Sequence, residues 1–338
     1  MQRRRLGGGG PEISAVGFGS WAVGGPWQWG WGPQDDAVSI ATIRHAVEAG
    51  VNWVDTAAVY GLGHSEEVVS KALSPFSVGE DVYVFTKCGL NWYDDPGQED
   101  HSDLRPESIR FEVDRSLERL GVERIDLLQF HWPDEETGTP IEDSWGAMHE
   151  LVEEGKVRWA GVSNFDVPLL ERCEAIRSVD ALQAPFSLLH RGARRDVIPW
   201  CRQRGAGVIA YSPMGSGVLT GAFSRERLNA LPTDDWRRKD DDFKDPFFGR
   251  SMELVERLGP VADRLGVSIA SLVVSWVLHT DGVTGAICGA RKPEQVDDWL
   301  RAPDISLDQG VLHEIEALVT ETGAGDEIFD AGAGGGTG

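Results

Sequence analysis

Cysteine is scarce and scattered in this sequence. Cys88, Cys173, Cys201 and Cys288 form no Cys-X-X-Cys pair, so neither a zinc site nor a disulfide framework is signalled, and a reducing cytoplasm is the expected setting. Positive charge is short as well: 32 Lys and Arg face 55 Asp and Glu, a net charge of -23. Such a field repels phosphate backbones and anionic lipid surfaces, which argues against nucleic acid and membrane as partners. Apolar runs stay well below the roughly 18 residues of a membrane span, and MQRRRLGGGG at the start puts glycine where a secretion signal needs apolar residues. No Gly-X-Gly-X-X-Gly follows the first strand candidate, where the sequence reads GFGSWAVGG. That speaks against a doubly wound dinucleotide-binding sheet.

What is present is an alternation of short apolar runs with amphipathic stretches of helix length. The runs 15–19, 52–55, 82–87, 125–131, 157–163, 182–185, 208–212 and 285–289 read as strands. Helices are expected at 34–49, 65–73, 106–120, 141–154, 167–177, 196–204, 252–265, 268–279 and 293–300. Gly50, Gly121, Gly155 and Gly205 sit where helices stop, and Pro106 and Pro293 where they begin. Parallel strands joined by crossover helices close into a (β/α)8 TIM barrel, here one domain over residues 1–322. Gly7 to Gly10 read as the tip of an N-terminal β-hairpin pairing 3–6 with 12–14. An additional C-terminal helix precedes a glycine-rich tail, 323–338, expected to be disordered, and the acidic stretch 234–245 is expected to be a mobile loop.

In such a barrel the chemistry gathers at the C-terminal ends of the strands. There the sequence places Asp55, Lys87 and His131, with Tyr60 in the loop after the second strand. The four residue types form a proton-transfer set. A phenol is too weak an acid near neutral pH unless a neighbour such as Lys87 favours its anion. Asp55 would hold the ammonium charged and aimed, and a neutral His131 would donate to a carbonyl oxygen. Such a set protonates an oxygen that is gaining charge, which suggests carbonyl reduction with hydride from a cofactor. Singly, Asp55 reads equally well as a helix cap and Tyr60 as packing; the functional reading rests on their joint occurrence at successive strand ends. His45 and His149 lie within helical patterns and carry no such signal. No metal ligand set is present, and Cys88 and Cys288 read as small buried hydrophobes.

DTAAVYGLGHSE at 55–66, TKCG at 86–89, DLLQFHWPD at 126–134, GVSNF at 161–165, Gln183, AYSPMGSGVLTG at 210–221 and GARKPEQ at 289–295 resemble the aldo-keto reductases, in that family's order. The resemblance implies a barrel reductase that binds NADP(H) without a Rossmann fold, with Asp55, Tyr60, Lys87 and His131 as catalytic tetrad and Tyr60 as general acid. It further implies that Ser163, Asn164 and Gln183 bond the nicotinamide carboxamide and that Tyr211 stacks on the ring. Ser212, Pro213, Met214, Gly217 and Leu219 would cover the pyrophosphate, largely through backbone N–H groups. Gly289, Arg291, Gln295 and Asp298 would meet the adenosine end, with Arg291 the first candidate for a 2′-phosphate and Lys292 the second. Gln295 stands where some members carry arginine and Trp299 where some carry asparagine, so NAD(H) stays open beside NADP(H).

Trp21, Trp27, Trp29 and Trp31 follow the first strand without helical spacing. They either line a substrate pocket or plug the barrel mouth. Trp21 and Trp27, with Trp92, Trp132 and Phe248 from other loops, are the candidates for substrate contact. The partner expected is a small-molecule carbonyl. Two other readings compete: a cofactor-binding sensor or partner-binding subunit like the potassium-channel β-subunits, and an aldolase using Lys87 as a Schiff base.

Overall fold

The computed structural model describes residues 1–93 and 99–325; most of the expected tail, 326–338, lies outside the described residues. In chain order the strands are β1 (Arg3–Arg5), β2 (Glu12–Ser14), β3 (Val16–Gly19), β4 (Trp53–Asp55), β5 (Tyr83–Cys88), β6 (Leu90–Asn91), β7 (His101–Ser102), β8 (Ile125–Phe130), β9 (Val157–Ser163), β10 (Ala181–Pro185), β11 (Gly207–Tyr211) and β12 (Gly285–Gly289). The helices are α1 (Asp36–Glu48), α2 (His64–Leu73), α3 (Pro106–Leu120), α4 (Ile141–Glu153), α5 (Val167–Glu174), α6 (Val197–Arg204), α7 (Arg225–Asn229), α8 (Phe247–Leu265), α9 (Ile269–Leu278), α10 (Pro293–Leu300) and α11 (Gln309–Thr322). Strands β3, β4, β5, β8, β9, β10, β11 and β12 close into a parallel barrel. The expected strands match these to within a residue at each end.

Two-residue alternation builds the inside of the barrel. Trp53, Phe85, Leu127, Ala181, Ile209 and Ile287 point inward and pack together. Their neighbours Val54, Val84, Leu128, Leu182, Val208 and Ala286 face outward into the core shared with the helices. Gly17 makes room for this packing, because a Cβ there would stand 2.1 Å from the Trp53 indole. The β1–β2 hairpin closes the N-terminal end: Leu6 and Ile13 join the inward layer, and the Trp53 indole N–H donates to the Ser14 carbonyl at 2.8 Å. Full burial of such side chains stabilises the fold by about 1.5–3 kcal/mol each. With that end sealed, the interior of the barrel is approached, among the described residues, from its C-terminal mouth.

Two elements depart from expectation. Helix α8 begins at Phe247, ahead of the expected 252, because Phe248 is fully buried among Val218, Phe223 and Phe243 and that burial outweighs the cost of Gly249 in the first turns. The acidic stretch 234–245 is packed rather than loose. Asp235 and Arg237, 1% and 5% exposed, form a two-pronged ion pair with Arg237 Nε and Nη2. His190 Nε2 lies 2.8 Å from Asp242 Oδ2 farther along. Ala324, past the end of α11, is buried as well. Among the described residues no single helix is long and apolar enough to cross a membrane.

Candidate active site

The polar floor of the site lies one step of the same alternation above the apolar layer. Two residues after Trp53, Phe85, Leu127 and Ala181 come Asp55, Lys87, Gln129 and Gln183, each at most 3% exposed. Register sets them side by side: Asp55 is opposite Phe85, Lys87 opposite Gln129, and Gln183 opposite Ser163. Lys87 Nζ donates to Asp55 Oδ1 at 2.5 Å and to the Thr56 carbonyl at 2.9 Å. Gln183 Nε2 donates to Asp55 Oδ2 at 2.8 Å, and Gln129 Nε2 reaches the same oxygen at 3.4 Å. The carboxylate is therefore held on both oxygens. Gln129 escaped the motif reading, although its place two residues beyond an inward leucine marks it.

Tyr60 stands above this floor. The loop carrying it folds back over β5, with Thr56 N–H donating to the Phe85 carbonyl and Ala58 N–H to that of Lys87. Lys87 Nζ is 5.2 Å from the Tyr60 ring centroid. The His131 ring meets the phenol edge-on, centroids 5.6 Å apart, and its backbone N–H is fixed to the Cys88 carbonyl at 2.9 Å. Neither the Tyr60 hydroxyl nor the His131 ring has a hydrogen-bond partner among the described residues, and both residues are partly open to the mouth. They are the free polar tips of the group.

Protonation follows from burial. Desolvation, then the Lys87 charge, holds the His131 imidazole well below its ordinary range, so it is neutral near pH 7. Desolvation also lowers the Lys87 ammonium, opposed by Asp55. Tyr60 runs against expectation: its phenol is raised well above the ordinary value by burial and the Asp55 charge. Lys87, whose charge is shared with the carboxylate 2.5 Å away, does not outweigh this. Tyr60 thus keeps its proton, as a donor must.

On the other side of the mouth the residues fit a dinucleotide. Ser163 Oγ accepts from Asn164 Nδ2 at 3.1 Å, so its own hydrogen is free to donate; Gln183 Oε1 accepts from no group among the described residues. Together they offer one donor and one acceptor, as a carboxamide requires. Asn164 itself is engaged, with Nδ2 on the His131 carbonyl and Oδ1 accepting from the Tyr211 hydroxyl at 2.9 Å. Beyond Tyr211 the chain turns through positive φ at Ser212 (51°), Gly215 (54°), Ser216 (51°) and Gly217 (100°). The N–H groups of Ser212, Met214 and Ser216 meet no acceptor among the described residues, which makes a cradle of backbone donors suited to an anion. Pro213 has no N–H to offer. Gly217 and Leu219, expected to present theirs to the pyrophosphate, instead turn them to the Met214 carbonyl at 3.1 and 3.0 Å, and the Leu219 side chain is buried in the core.

At the end expected to meet adenosine, Gln295 Oε1 accepts from Arg291 N–H at 2.8 Å, so the loop starting at Gly289 is braced from within. Arg291 is engaged on every guanidinium nitrogen: Nε donates to Gln34 Oε1, Nη1 to the Trp31 carbonyl and Nη2 to the Pro33 carbonyl. Lys292 and Asp298 are exposed, and Trp299 belongs to the core.

The aromatic loop both lines and plugs the mouth. Trp21 stacks on Tyr60 at 6.2 Å, and Trp27 lies 6.3 Å from it. Trp236, which no motif pointed to, stacks on Trp21 at 4.9 Å and meets Trp31 edge-on. Trp92 is buried behind Tyr60 against Ala57, Ala58 and Val59 and faces no opening, while Trp132 is exposed on the rim. Phe248 is not a pocket wall: fully buried under Val218 and Phe243, it has no surface to offer a substrate. The indole N–H groups of Trp27, Trp31 and Trp236 are buried without an acceptor among the described residues. No cluster of three or more His, Cys, Asp or Glu side chains among the described residues is placed to hold a metal ion.

Comparison with known proteins agrees with this geometry. The profile of the Aldo/keto reductase family matches residues 15–320. Aldo-keto reductase YhdN of Bacillus subtilis is 35% identical over 93% of this chain and 92% of its own length. The NADH-specific methylglyoxal reductase of Escherichia coli is 33% identical over 87% of this chain and 91% of its own. The glycerol dehydrogenase AKR11B4 from Gluconobacter oxydans superposes with a TM-score of 0.85 at 36% identity, covering 96% of this chain and 97% of the other. A closed parallel barrel, a buried Lys87–Asp55 pair beneath a free phenol, and these matches over nearly the whole chain lead to one conclusion: the protein is a member of the aldo/keto reductase family.

Proposed function

We propose that this protein reduces an aldehyde or ketone reversibly, with Tyr60 as the proton donor to the carbonyl oxygen. The observation that carries the reading is the pairing of a protonated, unbonded phenol with a neutral, unbonded imidazole above a closed Lys87–Asp55 pair. His131 orients the oxygen by donating to it, and Tyr60 gives up its proton as negative charge grows there. Lys87, fixed by Asp55 and the Thr56 carbonyl, steadies the phenolate left behind. Ser163, Gln183, Tyr211 and the donor cradle at Ser212 to Ser216 would hold a dihydronicotinamide dinucleotide, which would supply the hydride when bound. A Schiff-base role for Lys87 is disfavoured, because its side chain is sealed from solvent and committed to two acceptors.

The cofactor follows from the adenosine end. With every guanidinium nitrogen of Arg291 tied to the aromatic loop, a 2′-phosphate is left chiefly to the exposed Lys292, so NADPH and NADH are both taken and discrimination is less than about tenfold. Among the orphaned indole donors, that of Trp27, whose ring lies 6.3 Å from Tyr60, favours a short substrate with a second oxygen beside the carbonyl. Methylglyoxal, which names one relative, is such a molecule.

The test is loss of dihydronicotinamide absorbance across a carbonyl panel, with the parent protein and Tyr60→Phe. Turnover should fall about 100-fold to 10,000-fold in the variant, the range for a lost general acid, with dinucleotide affinity nearly unchanged. Equal turnover in the two proteins overturns the assignment.

A further inference from the structure

Arg291 belongs by sequence to the adenosine end, but every hydrogen bond of its guanidinium goes to the aromatic loop. Nε reaches Gln34 Oε1 at 2.8 Å, Nη1 the Trp31 carbonyl at 3.1 Å, and Nη2 the Pro33 carbonyl at 2.5 Å. Gln34 Nε2 returns the tie by donating to the Arg291 carbonyl at 2.9 Å. The segment held in this way carries Trp31, whose ring lies under Arg237 at 4.4 Å and meets Trp21 edge-on at 5.3 Å. Trp21 in turn stacks on Tyr60. A continuous run of contacts therefore joins the adenosine loop to the wall beside the catalytic phenol.

We propose that Arg291 is a positioning residue for the substrate wall, strapping Trp31 to Gln34 in place so that Trp31 holds Trp21 against Tyr60, and that it is not the 2′-phosphate contact. The claim rests on the proposed carbonyl reduction but concerns a different part of the molecule. A guanidinium is a planar fork, and here three of its N–H directions are matched by three acceptors on one short segment. One N–H on each terminal nitrogen is left over, so a phosphate gripping the guanidinium along its Nε edge would have to displace the Gln34 amide oxygen and loosen the segment. Lysine, a single point of charge, could satisfy a phosphate but cannot span three acceptors that each face a different nitrogen of the fork. That difference separates the two roles.

The experiment compares Arg291→Met, Arg291→Lys and Gln34→Leu in the full chain. Three readings are taken: the near-ultraviolet circular dichroism of the coupled tryptophans, the dissociation constants of NADH and NADPH by tryptophan quenching, and KM with kcat for a short aldehyde. The strap predicts weakened tryptophan bands in all three variants and KM raised about 10-fold with either dinucleotide, while kcat moves less than about twofold. Lysine should not rescue these changes. The NADPH to NADH affinity ratio should stay within about twofold of the parent, and the double variant Arg291→Met/Gln34→Leu should be no worse than either single change. NADPH binding weakened at least about 10-fold in Arg291→Met, with NADH unmoved and lysine restoring it, overturns the strap in favour of a phosphate contact. Should no carbonyl be turned over, the functional proposal falls while the dichroism still decides this one: unchanged tryptophan bands in both Arg291→Met and Gln34→Leu reject it. Should Arg291→Met fail to fold, Gln34→Leu carries the same decision from the other side of the tie.

Discussion

Lys87 Nζ and Asp55 Oδ1 lie 2.5 Å apart, in a pair whose side chains are 0% and 3% exposed. Removing one member of a buried pair strands the other's charge, which costs about 3–5 kcal/mol, whereas removing both is often close to neutral. Lys87→Met alone should therefore lower the unfolding midpoint in urea sharply, and Asp55→Asn/Lys87→Met should recover most of that loss. Asn at 55 retains an acceptor for Gln183 Nε2. Turnover should stay abolished in both, since neither leaves an ammonium beside Tyr60. A double variant as unstable as the single one would show that the pair's geometry matters to the fold beyond its charge balance.

The same pair sets the pH profile. The imidazole of His131 is held well below 6.5 and the phenol of Tyr60 well above 10.0, so neither changes protonation between those values. Lys87 is lowered from 10.5 and loses its proton first on the alkaline side. The kcat/KM for carbonyl reduction should then be flat down to pH 6.5, with a single alkaline limb from Lys87. An acid limb centred near 6.5 that vanishes in His131→Gln would overturn the neutral imidazole.

Much of this was legible in the sequence because it depends on alternation and on residue type. Asp55, Lys87 and Gln183 end apolar strands, and barrel closure then requires them to converge, as the bonds to Asp55 show. What escaped depends on contacts distant along the chain. Trp236 lies 215 residues from Trp21, the difference of their numbers, and the tie between Arg237 and Asp235 that packs its segment looks in sequence like solvated charge. Phe248 has the composition of a pocket wall, and only burial against Phe223 and Phe243 shows otherwise. Arg291 lies in the loop that the sequence assigns to the adenosine end, but the direction of its guanidinium is set by Gln34, 257 residues away.

Glu112 predicts a stability effect outside the catalytic set. It is fully buried, its Oε1 accepts from Gly89 N–H at 3.0 Å, and its Oε2 has no partner among the described residues. Burial first, then the charges of Asp103 and Glu66, raise its carboxyl from 4.5 to about 8. Between those values the native state keeps a proton that the unfolded chain has released, so its stabilising contribution is complete below 4.5 and is lost as pH rises through about 8. Glu112→Gln keeps the acceptor for Gly89 and cannot ionise. It should match the parent near the acid end of that window and exceed it by about 1–3 kcal/mol at the alkaline end, by urea unfolding. A constant difference between the two proteins across the window would mean that Glu112 does not titrate there.

The orphaned indoles predict substrate preference. Trp27 lies 6.3 Å from Tyr60, and its Nε1 is buried without an acceptor among the described residues, as are those of Trp31 and Trp236. An unpaired buried donor costs about 1–3 kcal/mol, and a ligand that supplies the acceptor recovers it. A plain aldehyde brings one oxygen, already claimed by Tyr60 and His131. An α-hydroxy or α-keto aldehyde of equal length brings a second, and its kcat/KM should be higher by about 10-fold to 100-fold. Trp27→Phe keeps the aromatic wall but deletes the donor nearest the phenol. In that variant the gap between the two aldehydes should narrow by about 10-fold, mainly through loss on the oxygenated one. Equal specificity for both aldehydes in the parent protein would mean that the indole donors face away from the bound substrate.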